Sequence, residues 1–201
     1  MSWWNTAYLN SPPWEIGAPQ PEIVRLAQND ELVGNKVLDL GCGTCDNALF
    51  LARIGFSLVC FDISSLAIEK GKKKASELGV KMGFVVGDAL QLREFFSESA
   101  FSTVIDSGLF HTLGDGERLT AAKEVGGVLT KNGRYVILCF SDKGIGGEYP
   151  RRISQKEIEE TFSEIFLINY IMDSNIFRKI KTDKGTATET VKAYTVSMTK
   201  K

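Results

Sequence analysis

The ten residues from Lys36 to Cys45, KVLDLGCGTC, constrain the fold of this chain more than any other stretch. Val37, Leu38 and Leu40 form a short apolar run of the kind buried in a parallel sheet, Gly41 and Gly43 end it, and a helix-compatible segment, Asp46 to Arg53, follows at once. A strand, a tight glycine turn and a helix N-terminus in that order belong to a doubly wound sheet. The glycines allow backbone angles that side chains obstruct, and they let a ligand lie directly against the main chain. An adenosine-containing cofactor is the ligand that such a turn accommodates.

The choice of cofactor narrows on charge. A dinucleotide fingerprint, GxGxxG, needs a third glycine at position 46, where this chain has Asp46. An aspartate in the first helical turn puts negative charge where a pyrophosphate would sit, so NAD fits poorly. S-adenosylmethionine carries no phosphate, and its sulfonium and methionyl ammonium tolerate acidic neighbours. The pattern hydrophobic-hydrophobic-Asp-hydrophobic-Gly-x-Gly resembles the first motif of the class I, or seven-strand, methyltransferases. Many members carry a third glycine where this chain has Cys45.

The rest of the chain alternates between strand and helix signals. Pro21 begins a helix with Ile23, Val24, Leu26 and Ala27 on one face, ending near Gly34. Ser57 to Phe61 reads as a second buried strand that stops at Asp62, roughly 20 residues past the glycine turn, where a carboxylate accepts hydrogen bonds from ribose hydroxyls. Ser64 or Ser65 caps a helix that Gly79 closes. Met82 to Val86 is a third strand, Phe101 to Ile105 a fourth, and Tyr135 to Phe140 a fifth. Ser154-Gln-Lys-Glu157 is a capping box opening a helix to about Phe162. Ile165 to Ile171 and Lys192 to Met198 read as a closing antiparallel pair.

These elements predict an α/β fold: a Rossmann-like, doubly wound, mostly parallel seven-stranded sheet with helices on both faces and an antiparallel C-terminal hairpin. One domain over 1–201 is expected, with an N-terminal aromatic segment (1–20), a cofactor-binding core (21–140) and an acceptor-side loop, helix and terminal hairpin (141–201). The resemblance implies a set of cofactor-binding residues. Asp39, Gly41, Cys42 and Gly43 belong to the first motif, Asp62 to the ribose, and Asp88 to the adenine amino group, with Ile63 and Ala89 sandwiching the ring. Asp106, ending the fourth strand, and Trp14 complete the set. Asp88 has a second reading, as the cap of the turn at 88–92.

The pattern Trp3-Trp4, Tyr8, Pro12-Pro13-Trp14-Glu15-x-Gly17-x-Pro19-Gln20-Pro21 is similar to the lid of small-molecule methyltransferases related to the thiopurine and thiol enzymes. Aromatic faces also attract a sulfonium. The other reading is that these rings merely cover the sheet edge. His111 follows the fourth strand, where such enzymes place acceptor-side residues. It either acts as a general base toward a thiol or hydroxyl, or packs and hydrogen-bonds within its loop. Arg151 and Arg152 read as surface charges rather than anchors for an anionic acceptor. No Asn/Asp-Pro-Pro-aromatic run of base-methylating enzymes follows the fourth strand, and no carboxylate-asparagine pair for magnesium is evident. The acceptor implied is a small molecule, a thiol among the candidates.

Cys42-Gly-Thr-Cys45 is also a C-x-x-C. Alone it is a redox pair, half a zinc site, or a coincidence of small residues in a tight turn, and Cys60 and Cys139 stand apart in sequence. No metal is therefore expected, and the rival function is a non-catalytic adenosyl-binding or Cys42/Cys45 thiol-redox protein on the same fold. Net charge is −1, and the cluster Lys70, Lys72, Lys73, Lys74 reads as a solvated helix face, so neither nucleic acid nor membrane is an expected partner. Four scattered cysteines and the lack of a leader pattern at MSWWNTAYLN suggest the cytoplasm. Oligomeric state is not legible.

Overall fold

The apolar run at the first motif forms β1 (Lys36–Leu40), which lies inside a seven-stranded sheet in the computed structural model, where residues 2–144, 150–183 and 185–201 are described. The other strands are β2 (Ser57–Asp62), β3 (Gly83–Val86), β4 (Phe101–Ser107), β5 (Leu129–Phe140), β6 (Phe166–Thr182) and β7 (Gly185–Lys200). Their order is β3-β2-β1-β4-β5-β7-β6, with β7 antiparallel to both β5 and β6 and every other pairing parallel. The chain reverses its direction of winding between β1 and β4, so a crevice opens at their carboxyl ends. Leu40 is level with Phe61 on one side and Asp106 on the other. The residues following these strands therefore share one edge.

Successive strand residues fall on opposite faces, as the period of two requires. Leu38, Phe61 and Val104 join one apolar cluster; Val37, Cys60 and Ile105 join the other. Helices α5 (Asp115–Val128) and α6 (Gln155–Phe162) cover the first face through Val125 and Phe162. The second face is covered by α2 (Pro21–Gln28), α3 (Asp46–Arg53) and α4 (Ser65–Glu77), through Leu26, Leu51 and Ile68. No helix among the described residues is long and apolar enough to cross a membrane.

Local signals set most boundaries. Ser64 accepts from the Ala67 amide at 3.1 Å, and the Ser154–Glu157 capping box forms with both of its bonds. Several boundaries differ from the sequence reading, β5 among them, which starts at Leu129 ahead of the apolar run at 135–140. α2 stops at Gln28, because Asn29 leaves helical geometry and Asp30 takes a φ of 54°. The first residues are not wholly irregular: Ser2 caps a short helix, α1 (Trp3–Leu9), upstream of the prolines. β6 and β7 are much longer than the apolar runs at 165–171 and 192–198. β5 pairs with β7 only from Ala193 onward, so 185–192 pairs with β6 alone as a two-stranded arm. Of the acceptor-side loop that opens the 141–201 region, residues 145–149 lie outside the described residues.

Candidate functional site

A cavity of about 570 Å³ opens over the carboxyl edge of β1, β2 and β4. Its floor is the glycine turn. Gly41 and Gly43 take φ of 70° and 54°, and a side chain at Gly43 would lie 2.8 Å from both the Glu15 carboxylate and the Tyr8 hydroxyl. The N-terminal segment therefore rests directly on the turn. Glu15 accepts from the Thr44 amide at 3.3 Å and from the Thr44 hydroxyl, while the Trp14 indole N–H donates to Tyr8 Oη at 3.0 Å. Trp3, Trp4 and Trp14 stack edge to face or tilted with centroids 4.7 to 6.4 Å apart, and all three line the cavity. The two-stranded arm holds this segment from behind: Gln20 exchanges two 2.9 Å bonds with the Phe177 backbone, and the Lys179 amide donates to Pro13 O at 2.6 Å.

Asp62 ends β2 and is 7% exposed. Its Oδ2 accepts from the Gly43 amide at 2.9 Å and its Oδ1 from the Ser64 amide at 2.8 Å, so the carboxylate braces the turn while lining the cavity. Burial pushes its carboxyl up to about 6, against these two backbone bonds. Asp88 makes both contacts read from the sequence compatible: one oxygen accepts from the Leu90 amide at 2.9 Å as a cap, and the residue lines the cavity beside Ile63 and Ala89.

Asp39 and Asp106 stand elsewhere. Neither lines the cavity, because both lie in the layers beneath the strand ends, each 1% exposed. Asp106 accepts from the Leu109 and Phe110 amides at 2.8 and 3.3 Å and from the Tyr135 hydroxyl at 3.4 Å, shaping the loop after β4; burial raises its carboxyl to about 7. Asp39 is raised well above the carboxylate range by burial, and its Oδ2 has no hydrogen-bond partner among the described residues.

His111 lines the other end of the cavity, stacked on Phe140 at 4.2 Å with the rings 5° from parallel. Its Nδ1 accepts from the Phe140 amide at 3.1 Å. In the neutral ring the remaining nitrogen, Nε2, then carries the proton, which leaves a donor on that side of the ring. Burial, with Arg152 and Arg118 nearby, lowers its pKa to about 3. The unfolded chain binds this proton below about 6.5, the folded one only near 3, so His111 costs stability progressively as pH falls through that window and nothing above it. The stability difference between wild type and His111→Gln, followed by urea melts from pH 7 to pH 4, is expected to shift steadily in favour of the variant.

Sequence reasoning missed several wall residues. Ile176 and Arg178 reach the cavity from the arm, where no apolar alternation marks a strand, and Arg178 is held by Glu189 at 2.5 Å. Arg151 is tied to Asp115 and Glu157 as a surface charge, but Arg152 lies half-buried 4.8 Å over the Phe140 ring. Cys60 is not isolated: the β1–β2 register sets it opposite Asp39, and its Sγ lies within 4.8 Å of those of Cys42 and Cys45. Hydrogen bonds from the Cys42 and Cys60 thiols lower Cys45 to about 5.

The donor set fits S-adenosylmethionine. Acceptor-only carboxylates at Asp62 and Asp88 suit ribose hydroxyls and an exocyclic amine, the glycine turn leaves the main chain bare, and the cavity is of small-ligand size. The comparisons agree. A family profile described as "Methyltransferase domain" matches residues 37–133. A "2-heptyl-1-hydroxyquinolin-4(1H)-one methyltransferase" of Mycobacteroides abscessus is 32% identical over 171 residues, 83% of this chain and 73% of the relative. A "Probable thiol methyltransferase 2" of Arabidopsis thaliana is 27% identical, over 79% of this chain and 70% of that protein. The structure reported as "Conversion of a Disulfide Bond into a Thioacetal Group during Echinomycin Biosynthesis" superposes with a TM-score of 0.87 at 29% identity, over 98% of this chain and 90% of that one. With cavity, turn and relatives in agreement, the chain belongs to the class I S-adenosylmethionine-dependent methyltransferases that act on small molecules.

Proposed function

We propose that this enzyme methylates an acidic heteroatom, a thiol or a ring N-hydroxyl, on an apolar small molecule that arrives already ionised. The observation that carries this reading is the bond from the Phe140 amide to His111 Nδ1 at 3.1 Å, which leaves His111 only a donor to offer. The bound cofactor supplies an electrophilic methyl group on a sulfonium, and an anionic nucleophile needs no base to meet it. What the chain contributes is placement and exclusion of water. Gly41, Gly43, Asp62, Asp88, Ile63 and Ala89 hold the adenosyl moiety on the turn side, with Cys42 and Trp14 beside them. Trp3, Trp4 and Trp14 cover the sulfonium side and exclude water. His111 Nε2–H donates to the acceptor heteroatom, and Arg178 attracts its charge.

The relatives support the same class. The mycobacterial protein acts, by its name, on a 2-heptyl-1-hydroxyquinolin-4(1H)-one, and the plant protein is named for thiols. Both names describe acceptors with an ionisable heteroatom. The test is the pH dependence of kcat/KM over a panel of thiols and aromatic N-hydroxy compounds of graded acidity. The rising limb is expected to follow each acceptor's own pKa, and His111→Gln to lower kcat by about tenfold without moving that limb. A limb fixed near about pH 6 to 7 across acceptors, abolished in His111→Gln, would restore the general base and sink this reading.

Arg178 gives a second, separable prediction. Arg178→Ala is expected to raise KM for an anionic acceptor by about 10-fold while leaving the affinity for S-adenosylhomocysteine unchanged. Initial-rate kinetics together with calorimetry check both halves.

A further inference from the structure

Methyl transfer asks for no thiol chemistry from the three cysteines gathered behind the glycine turn. Cys42 and Cys45 lie 3.7 Å apart, sulfur to sulfur, and Cys60 joins them from the neighbouring strand, all three Sγ atoms within 4.8 Å of one another. Buried cysteines often serve as small hydrophobes, but that role asks only for volume and not for sulfur atoms pointed at one centre. With metal–sulfur bonds of about 2.3 Å, three thiolates around one ion stand roughly 4 Å apart, close to the 3.7 Å of the Cys42–Cys45 pair and inside the 4.8 Å that bounds all three.

A second observation points the same way. Asp39 is the register neighbour of Cys60, and its buried Oδ2 has no hydrogen-bond partner among the described residues. The pit thus concentrates electron-pair donors. Lys74, whose charge acts on Cys45, is engaged outside by Asp46 at 2.7 Å and by the Thr44 hydroxyl. Cys42 is half-buried and lines the cavity, so an ion has a way in, whereas Cys45 and Cys60 are fully buried.

We propose that Cys42, Cys45 and Cys60 bind one soft, closed-shell cation of the zinc, cadmium or copper(I) class through three thiolates, with the Asp39 carboxyl as an adjacent buried oxygen donor. Binding forms three metal–sulfur bonds and releases the thiol protons to solvent. Thiolates select such ions over magnesium or calcium, which prefer oxygen. The Sγ atoms of Cys42 and Cys45 also lie 3.6 and 3.8 Å from Gly43 O, so an ion here stiffens the turn that holds the cofactor.

The test titrates the reduced full-length chain with Cd²⁺, reading thiolate-to-cadmium charge-transfer absorption, with Mg²⁺ as the hard-ion control. One Cd²⁺ per chain is expected. Cys139→Ala, distant from the cluster, is expected to bind as the wild type does, and Cys60→Ala about 100-fold more weakly. Absorption that does not saturate at one ion per chain, or a folded Cys60→Ala that binds as tightly as the wild type, overturns the proposal. Should Cys60→Ala fail to fold, the wild type decides by alkylation. Cd²⁺, and not Mg²⁺, must then protect Cys42 from iodoacetamide, and an unprotected Cys42 overturns the site.

Discussion

Replacing Asp62 by alanine is expected to weaken the binding of S-adenosylhomocysteine by about 1.5 to 3 kcal/mol, or roughly 10- to 150-fold. The carboxylate does two jobs at once. It accepts from the Gly43 and Ser64 amides at 2.9 and 2.8 Å, and it faces the cavity where ribose hydroxyls need an acceptor. Alanine removes the ligand contact and strands two amides, so the turn loosens as well. The Asp62→Asn variant keeps one acceptor oxygen and is expected to fall between wild type and Asp62→Ala. The pH dependence follows from burial, which lifts this carboxyl to about 6. Below that pH the group is protonated in the free enzyme and has lost an acceptor, so affinity is expected to decline as pH falls through about 6 and to be flat in Asp62→Asn. Calorimetry between pH 5 and pH 8 reads both effects; an alanine variant with wild-type affinity would remove Asp62 from the site.

Deleting residues 2–20 is expected to reduce turnover by about 100-fold or more and to weaken cofactor binding, while leaving the sheet folded. No residue of this segment joins the two apolar clusters on the sheet, and its hydrogen bonds run to the glycine turn, to α4 and to the arm. Glu15 and Tyr8 sit over Gly43, Trp14 is braced on Tyr8, and Gln20 and Pro13 clip onto the arm at Phe177 and Lys179. Without it the turn is open to water and the sulfonium side loses its aromatic wall. Single-turnover rates and S-adenosylhomocysteine affinity of the truncated chain, with circular dichroism as the control for folding, check this. Intact binding together with intact turnover would reduce the segment to a covering of the sheet edge.

What the sequence disclosed was whatever local pattern determines. The glycine turn, Asp62 and Asp88 follow from short apolar runs and the residues that stop them, and the parallel sheet follows from their alternation with helices. The capping box at Ser154 is likewise local. Features fixed by register or by partners distant in sequence were not legible. Cys60 joins Cys42 and Cys45 only because β2 pairs with β1 in one register. The proton on His111 is decided by the amide of Phe140, 29 residues away. Asp39 and Asp106 carry the family pattern, yet only the fold reveals that they stand under the cavity. The arm escaped notice because the sequence at 181–190, KTDKGTATET, has no apolar alternation, although the run of threonines was a β signal in itself.

The most direct measurement is calorimetric titration of the purified chain with S-adenosylhomocysteine and, in parallel, with NAD. Carboxylates around a glycine turn predict micromolar binding of S-adenosylhomocysteine at one site per chain and no binding of NAD, whose pyrophosphate would meet Asp46 at the start of α3. Binding of NAD, or of neither ligand, would contradict the account of the cavity on which the Asp62, lid and acceptor predictions depend.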